Sequence, residues 1–369
     1  MRILITTDVL GGVWDHTVTL VRELADAGDE CLVAVIGAPS AAHLRQLPHN
    51  VEVEYGDFLL EWMPDAERDI ASATAWLRGL AGRWGAELVH FNQFAYSAVD
   101  HDVPVVVVAH SDVCSWHAEV TGQEAPAEWD SYRARVRAGL RAADRIVAPS
   151  RYQSDLLARH FGQPAHHVIH NGIGSGSRRD LPPASARPWI CSAGRAWDPA
   201  KGMATLERAA RMLGDAGPPI RVAGPLQGPD NTRFDPGRLV ALGPRSRADM
   251  DRLFASTAIY VGTSLYEPFG LAPLEAADHG CALVLSDLGS FRELWDDVAA
   301  FFPPGDADAL AGCLRDLVRD PARMDEMGRS ARRRAGGRYT ATAMATAYRR
   351  LYADLVETRH ATRVEGQAV

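Results

Sequence analysis

The sequence predicts an α/β protein with two parallel β-sheets. Short apolar runs of strand length alternate with helical patterns along most of the chain, which is the signature of repeated βαβ units. A stretch rich in Gly, Ser and Pro interrupts this alternation at residues 172–188, and the alternation then resumes. The length of 369 residues also favours two domains. We therefore expect two α/β halves joined by one linker.

The predicted strands are predominantly apolar, as in parallel sheets that are covered on both faces. In the first half they are residues 3–6, 31–36, 88–91, 103–109, 146–148 and 168–170. In the second half they are residues 189–193, 220–224, 239–242, 259–263, 282–286 and 299–302. The first strand is followed by a predicted helix over residues 17–27, because its apolar residues share one face and Gly28 stands at the C-cap.

These elements divide the chain into an N-terminal domain (1–175), a linker (176–188) and a C-terminal domain (189–340). A helical pattern at about residues 341–357 is left over after the second sheet, and we expect it to return to the N-terminal domain. No internal repeat is visible.

Charge and cysteine content narrow the function classes. With 39 Lys and Arg against 47 Asp and Glu, the net charge is −8, which argues against a nucleic-acid partner and favours small molecules. The five cysteines form no CxxC pair and indicate reduced core residues. Because the start of the chain shows no signal-peptide pattern and no run approaches the ~18 apolar residues of a membrane span, we expect a soluble cytoplasmic protein.

Polar residues and glycines collect where predicted strands end, which is where open parallel sheets bind ligands. They are Gly11, Gly12, His110, Arg195, Lys201 and Glu267. We expect the two sheets to present these groups to one common cleft.

The strongest local signal is the segment YEPFGLAPLE at residues 266–275. Pro268 and Gly270 delay the helix, which we predict from residue 271 to 279, before Gly280. Free amides and the positive dipole end would bind an anion there. Glu275 could accept hydrogen bonds from ribose hydroxyls and Glu267 from those of a sugar. The plain alternative is that both are surface acids, one of them complementing the helix dipole.

The segment GRAWDPAKG at residues 194–202 carries two cations after a strand. Arg195 offers a planar fork and Lys201 a point charge, so the two suit one diphosphate and would stabilise the charge of a leaving phosphate. In isolation, the segment is equally compatible with two solvated surface cations.

Together with GGVW at residues 11–14, AHSDVCSW at 109–116 and GCALVLSDLGSFRELW at 280–295, these segments resemble the retaining GT-B glycosyltransferases of family 4, the glycogen-synthase and phosphatidylinositol-mannosyltransferase superfamily. The resemblance covers nearly the whole chain. It implies two Rossmann-like domains around a central cleft and a UDP, GDP or ADP type of sugar donor. It also implies transfer with retention and without a metal or cofactor, the leaving phosphate taking the proton of the acceptor.

The resemblance also assigns residues. It implies catalytic roles for His110, Glu267, Arg195 and Lys201, with His110 at the reactive face of the sugar. It implies donor binding by the set Gly11, Gly12, Arg195, Lys201, Glu267, Phe269, Gly270, Leu271 and Glu275.

The acceptor, a small molecule or glycan, is expected to meet loops of the first half that vary within the family. Candidates are Asp8, Trp14, Asp15, His16, Asn92, Trp116, His117 and Arg133, with aromatic packing as the alternative for this set. Arg133, Arg137 and Arg141 lie at helical spacing, and a solvated face is their plain interpretation.

No metal site is expected. Asp306 and Asp308 match a DxD string but precede a helical run, so we interpret Asp306 as a helix cap. His166, His167 and His170 lack partners at ligand spacing and are interpreted as surface-loop residues.

Three other functions remain alternatives. A nucleotide-sugar 2-epimerase shares the architecture, and a noncatalytic nucleotide-sugar-binding protein would keep the same binding residues. A dehydrogenase is disfavoured because no GxGxxG follows the first strand. Membrane association is not expected. Some relatives act on lipids through a basic helix of the first half, whereas the corresponding residues 61–84 include Glu61, Asp65, Glu67 and Asp69 and are not basic overall.

Overall fold

The computed structural model describes residues 1–99, 101–174, 181–214, 217–228 and 231–367. The chain forms two compact units. The N-terminal unit comprises Met1–Ala118, Gln123–Gly174 and Ala341–Val369, and the C-terminal unit comprises Glu119–Gly122 and Ser175–Thr340. Each unit holds one sheet in which neighbouring strands run parallel. The predicted α/β class with two parallel sheets is confirmed.

The described residues of the N-terminal unit form a seven-stranded sheet in the order β3-β2-β1-β4-β5-β6-β7. Its strands are β1 (Arg2–Asp8), β2 (Glu30–Ile36), β3 (Glu52–Gly56), β4 (Leu88–Phe91), β5 (Val105–Val108), β6 (Arg145–Ala148) and β7 (His167–Val168). The chain builds outward from β1 to β3 and then crosses back to place β4 beside β1. The strand order therefore reverses between β1 and β4, which is where such sheets bind ligands.

The helices formed by residues 1–174 are α1 (Gly12–Asp26), α2 (Ala41–Leu44), α3 (Glu67–Trp84), α4 (Val113–Thr121), α5 (Asp130–Ala142) and α6 (Arg151–Phe161). Leu20 and Leu24 of α1 are fully buried against Ile5 of β1. The same apolar cluster includes Tyr348 and Tyr352 of the last helix of the chain, α13 (Ala341–Gln367). Helix α13 therefore packs on the N-terminal unit.

Two elements of this unit differ from the sequence prediction. Strand β3 was not predicted, because its residues EVEYG include exposed side chains at the edge of the sheet and form no continuous apolar run; Tyr55 is 59% exposed. Helix α1 begins at Gly12 and not at residue 17, since Gly11 serves as its N-cap with a φ of 86°.

The described residues of the C-terminal unit form a six-stranded sheet in the order β10-β9-β8-β11-β12-β13. Its strands are β8 (Trp189–Ala193), β9 (Ile220–Ala223), β10 (Val240–Gly243), β11 (Thr257–Gly262), β12 (Ala282–Ser286) and β13 (Ala299–Phe302). The helices are α7 (Met203–Leu213), α8 (Arg247–Ala255), α9 (Leu271–Asp278), α10 (Gly289–Trp295), α11 (Ala307–Arg319) and α12 (Pro321–Arg338). Here the order reverses between β8 and β11, so the segments that follow these two strands frame the expected ligand position.

The expected linker is described only in part, because residues 176–180 lie outside the described residues. Its later part is ordered against the C-terminal unit: the Arg187 guanidinium donates to the carbonyls of Thr257 (3.2 Å) and His279 (2.7 Å), and Ala184 is buried.

Three smaller expectations can be compared with the structure. The side chain of Asp306 accepts from the backbone N–H of Ala309 at 2.9 Å, so its interpretation as a helix cap is confirmed. The interpretation as a surface-loop residue is wrong for His167, which lies in the edge strand β7. His166 lies exposed in the loop before β7, where its Nδ1 accepts from the N–H of Ile146. None of the described helices combines the length and the apolar character needed to cross a bilayer.

Candidate active site

Two loops of the C-terminal unit are joined side by side at the reversal of strand order. The carbonyl of Ala200, in the loop after β8, accepts from the N–H of Leu265 at 2.7 Å, and the Thr263 hydroxyl donates to the carbonyl of Lys201 at 2.8 Å. This approach requires Gly202, which has a φ of +59° and where an added Cβ would lie 2.0 Å from the Thr263 carbonyl oxygen. The loops after β8 and β11 therefore form one rigid platform.

An ion pair lies on this platform. Nζ of Lys201 donates to Oε2 of Glu267 at 2.6 Å, and both side chains are less than one-fifth exposed. Ser264 donates to the same carboxylate oxygen at 3.4 Å, and the buried Ser290 hydroxyl donates to the backbone carbonyl of Glu267. The structure thus brings together two residues that the sequence separates by 66 positions.

Arg195 lies at the start of the same loop. Its Nη2 donates to Oδ2 of Asp198 at 2.8 Å, and Asp198 also caps the short turn after it by accepting from the N–H of Ala200. The Arg195 side chain is 41% exposed, whereas that of Asp198 is 6% exposed. The guanidinium is therefore held in place by a buried carboxylate while part of it stays open to a ligand.

Helix α9 begins directly after this platform, as the sequence predicts. Gly270 is its N-cap, with a φ of +92°, and an added Cβ would lie 2.9 Å from the Phe291 ring. Leu271 is the first helical residue, so its amide is one of the donors without an intrahelical partner that favour anions. The ring of Phe269 is 3% exposed and stacks edge-on against Tyr339, so this side chain faces the interior and leaves only its backbone for a ligand.

Glu275 has a partner that the sequence did not reveal. Its carboxylate accepts a hydrogen bond from the guanidinium of Arg247, at the first turn of α8. The Glu275 side chain is 14% exposed, whereas that of Arg247 is 53% exposed. The two residues lie 28 positions apart on different helices, and no local pattern indicates the pair.

At the corresponding reversal of the N-terminal unit, the loop after β1 leads directly into α1. Oδ1 of Asp8 accepts from the N–H of Leu10 at 2.7 Å, and Gly11 and Gly12 are exposed at the start of the helix. Asp8 is itself 6% exposed. Gly12 is the first helical residue, so its backbone N–H has no intrahelical partner, and a phosphate contact there stays a prediction from the family resemblance.

Behind this loop lies a cluster of three histidines, of which His16 and His90 are buried and His110 is half-buried. Nε2 of His90 and Nε2 of His110 both lie within hydrogen-bond distance of Oδ1 of Asn92, at 3.0 and 2.8 Å. The His16 ring meets His110 edge-on at a centroid distance of 4.6 Å. Burial lowers the pKa of His90 to about 4, and burial together with His90 lowers the pKa of His110 to about 3. Burial and the two neighbouring imidazoles also lower the pKa of His16, so all three rings are neutral near pH 7.

The expectation that several acceptor candidates lie on loops is wrong. Trp14 and His16 lie in the first turns of α1 and are 3% and 1% exposed, because α1 begins at Gly12. Trp116 and His117 lie on α4 and stack edge-on at 5.1 Å, which agrees with the alternative of aromatic packing. Arg133, on α5, pairs with Asp130 and donates to the carbonyl of Ala125. Asp15 also lies in the first turn of α1, and it is exposed.

Sequence reasoning also missed residues that shape the histidine cluster. His90 lies in the fully buried strand β4, where a titratable residue within the apolar run LVHF was the available signal. Tyr352, whose hydroxyl lies 2.6 Å from Nδ1 of His90, is 262 positions away and gave no signal.

Comparisons with known proteins agree with this arrangement. The family model "Glycosyltransferase Family 4" matches residues 10–174, and "Glycosyl transferases group 1" matches residues 178–334. Similar in sequence are the glycogen synthase of Mycobacterium tuberculosis, 26% identical over 93% of this chain and 91% of that protein, and the phosphatidyl-myo-inositol mannosyltransferase of Mycolicibacterium smegmatis, 25% identical over 85% and 82%. Among solved structures, Anabaena HepE in complex with UDP-glucose has a TM-score of 0.77 at 20% identity, covering 96% of this chain and 100% of that one.

The two parallel sheets and the similarity to the solved structures define the GT-B fold. Both halves of the chain match family models of this class, and the curated relatives span it nearly from end to end. The chain belongs to family 4 of the glycosyltransferases.

Proposed function

We propose that the protein is a retaining glycosyltransferase that transfers a sugar from a nucleoside diphosphate sugar to a hydroxyl of a small-molecule or glycan acceptor. The observation that carries this proposal is the Lys201–Glu267 ion pair, which lies at the reversal of strand order just before the start of α9. At this position the ammonium of Lys201 suits the diphosphate of such a donor, and the carboxylate of Glu267 suits the hydroxyls of its sugar. The UDP-glucose complex of HepE supports a donor of this class.

In this proposal, the donor diphosphate binds to Lys201, Arg195 and the first amides of α9. Arg195 keeps open donors for it beyond the one that Asp198 accepts, and Gly270 lets the phosphate approach the backbone closely. Glu275, at the second turn of α9, accepts hydrogen bonds from the ribose hydroxyls. Glu267 contacts the hydroxyls of the transferred sugar.

The reaction breaks the bond between the anomeric carbon and the phosphate oxygen. Positive charge develops on the sugar and negative charge on the leaving diphosphate, which Lys201 and Arg195 stabilise through preorganised donors. The acceptor hydroxyl attacks from the same face, and its proton passes to an oxygen of the leaving phosphate. The product keeps its anomeric configuration without a covalent intermediate on the protein.

We further propose that the enzyme works in the cytoplasm without a metal ion. The cations Lys201 and Arg195 meet the charge of the diphosphate that a divalent ion would otherwise neutralise. The five cysteines are free thiols, four of them buried, which suits a reducing compartment.

Product analysis tests the proposal. The protein is incubated with UDP-, GDP- or ADP-glucose and a panel of hydroxyl acceptors, and nucleoside diphosphate release and product configuration are followed by NMR. We expect release of one nucleoside diphosphate and a product of unchanged configuration. Turnover should be lost in Glu267→Ala with nucleotide binding retained, while the control Arg329→Ala, an exposed residue of α12, keeps wild-type turnover.

Two results would contradict the proposal. An epimerised sugar nucleotide, formed without acceptor, would indicate a 2-epimerase. Binding of the nucleotide sugar without any turnover across the panel would indicate a noncatalytic binding protein.

A further inference from the structure

The side-chain amide of Asn92 has one possible orientation. Nδ2 lies 2.7 Å from the carbonyl oxygen of Thr6, and a carbonyl can only accept, so the donating nitrogen must face it. The second hydrogen of Nδ2 goes to the Thr17 hydroxyl at 3.2 Å. The backbone N–H of Asn92 donates to the Thr6 hydroxyl at 3.0 Å, which fixes the residue at the end of β4.

This orientation turns Oδ1 of Asn92 toward two imidazoles. Because Oδ1 can only accept, Nε2 of His90 and Nε2 of His110 must both carry their hydrogens. Nδ1 of His90 then has a lone pair, and it accepts from the hydroxyl of Tyr352 on α13 at 2.6 Å. Each hydrogen bond in this set has one donor and one acceptor, so the set is self-consistent.

The same logic determines the state of His110. The pKa of His110 is lowered by burial and by His90, so the ring is neutral near pH 7 and carries a single N–H. That N–H is at Nε2 and is used by Asn92, which leaves Nδ1 as a lone-pair acceptor. His110 is half-buried, whereas Asn92 is 7% exposed.

We propose that Asn92 is a positioning residue that locks His110 in the Nε2-protonated tautomer, so that Nδ1 of His110 accepts a hydrogen bond from a hydroxyl of the ligand. The second half of this proposal rests on the proposed glycosyl transfer, whereas the tautomer lock does not. Asn92 acts through His110, because its two side-chain hydrogens and both lone pairs of Oδ1 are already used within the N-terminal unit. This replaces the expectation that Asn92 contacts the acceptor directly.

The Nε2-protonated tautomer of His110 determines which ligand groups can bind at Nδ1. A lone pair on a neutral ring attracts hydroxyl donors and repels phosphate oxygens and carbonyls, which are acceptors only. His110 therefore favours a ligand that presents a sugar or polyol hydroxyl at this point, and it supplies neither a positive charge nor a proton there.

The ligand-free protein tests the lock directly. In a long-range ¹H–¹⁵N NMR spectrum, the His110 signals, assigned by comparison with His110→Gln, should show a protonated Nε2 and an unprotonated Nδ1. Asn92→Leu removes the acceptor and should produce a mixture of tautomers. A protonated Nδ1 in the wild-type protein would overturn the proposal, whether or not the variants fold.

Steady-state kinetics with UDP-glucose test whether Nδ1 of His110 accepts a hydrogen bond from a hydroxyl of the ligand. His110→Gln keeps a donor toward Asn92 but loses the Nδ1 lone pair, so we expect kcat/KM to fall by about tenfold or more. Asn92→Leu should lower it similarly. Unchanged kcat/KM in His110→Gln would overturn the hydroxyl contact. A protein with the expected tautomer but no turnover of any sugar nucleotide would contradict the proposed function and leave the lock intact.

Discussion

Nζ of Lys201 and Oε2 of Glu267 are 2.6 Å apart, and they join the loops that follow the two strands between which the C-terminal sheet reverses its order. The sequence contains 39 basic Lys and Arg residues, of which Lys201 is the single lysine. An ammonium differs from a guanidinium in being a compact point charge. The ammonium of the single lysine is therefore paired with the carboxylate of Glu267, and both side chains are largely buried.

Replacing Lys201 should remove the stabilisation of the leaving phosphate. We expect Lys201→Ala to lower kcat/KM with the sugar nucleotide by about 10² or more, as for loss of one preorganised donor in other active sites. Lys201→Arg should not recover the activity, because a planar fork cannot replace a point charge 2.6 Å from Glu267. The activity of both variants is measured by the steady-state release of nucleoside diphosphate. Recovery to within about twofold in Lys201→Arg would contradict the role assigned to the compact charge.

Glu275 and Arg247 should contribute unequally to nucleotide affinity. Loss of the Glu275 carboxylate removes the acceptor for the ribose hydroxyls, and we expect Glu275→Ala to weaken UDP binding by about tenfold. Arg247→Ala removes only a more exposed partner of that carboxylate and should change the affinity less. Isothermal titration calorimetry with UDP measures the two variants. Equal losses would indicate that Arg247 itself binds the nucleotide.

Gly202 should be intolerant of a side chain. An added Cβ would meet the Thr263 carbonyl oxygen at 2.0 Å in a left-handed backbone conformation, so Gly202→Ala should lower the free energy of unfolding by about 2 to 4 kcal/mol. The matched control is Gly312→Ala in α11, where nothing lies within 4 Å; it should raise stability by about 0.5 to 1 kcal/mol. Urea unfolding compares the two variants, and a neutral Gly202→Ala would contradict the described loop contact.

The buried carboxyl of Glu61 should make stability depend on pH. Burial raises its pKa to about 7, although the N–H groups of Phe94 and Ala95 donate to it. The folded chain then binds more protons than the unfolded chain between about pH 4.5 and 7, so this group stabilises fully below that range and its contribution is lost as the pH rises through it. The loss amounts to about 3 kcal/mol.

Glu61→Gln should flatten the fall in unfolding free energy between about pH 5 and 7. Glu54→Gln, on the exposed edge strand β3, is the matched control and should leave the pH dependence as in the wild type. Urea unfolding at several pH values measures the slopes. The same slope in Glu61→Gln and the wild type would show that Glu61 is ionised in the folded protein at these pH values.

The sequence was sufficient for features that have local causes. Pro268 and Gly270 predict that α9 begins at Leu271, and the place of Asp306 before a helical run predicts its role as a helix cap. The two sheets followed from apolar runs buried on both faces. By contrast, β3 shows little contiguous apolar character, and α1 starts at a glycine, which is a weak helix former, so neither boundary carries a usable signal.

Contacts between residues far apart in the chain could not be predicted from the sequence. The pairs Arg247–Glu275 and His90–Tyr352 depend on how helices α8 and α13 pack, which no local pattern encodes. Asn92 is an example of a role that was predicted wrongly because such contacts were not known. Its type and its place after a strand predicted a ligand contact, whereas the structure shows that neighbouring residues already use its side-chain hydrogen bonds.

Because Lys201 is the single lysine of the sequence, chemical protection of its amine reports whether the donor diphosphate binds there. The protein is treated with an amine-reactive acetylating reagent with and without UDP-glucose, and acetylation of Lys201 is quantified by mass spectrometry. The amino terminus, which pairs with Asp29 in the N-terminal unit, serves as internal control. We expect UDP-glucose to protect Lys201 and to leave the amino terminus unaffected. Binding of UDP-glucose with no protection of Lys201 would place the diphosphate elsewhere and rule out the proposed role of Lys201.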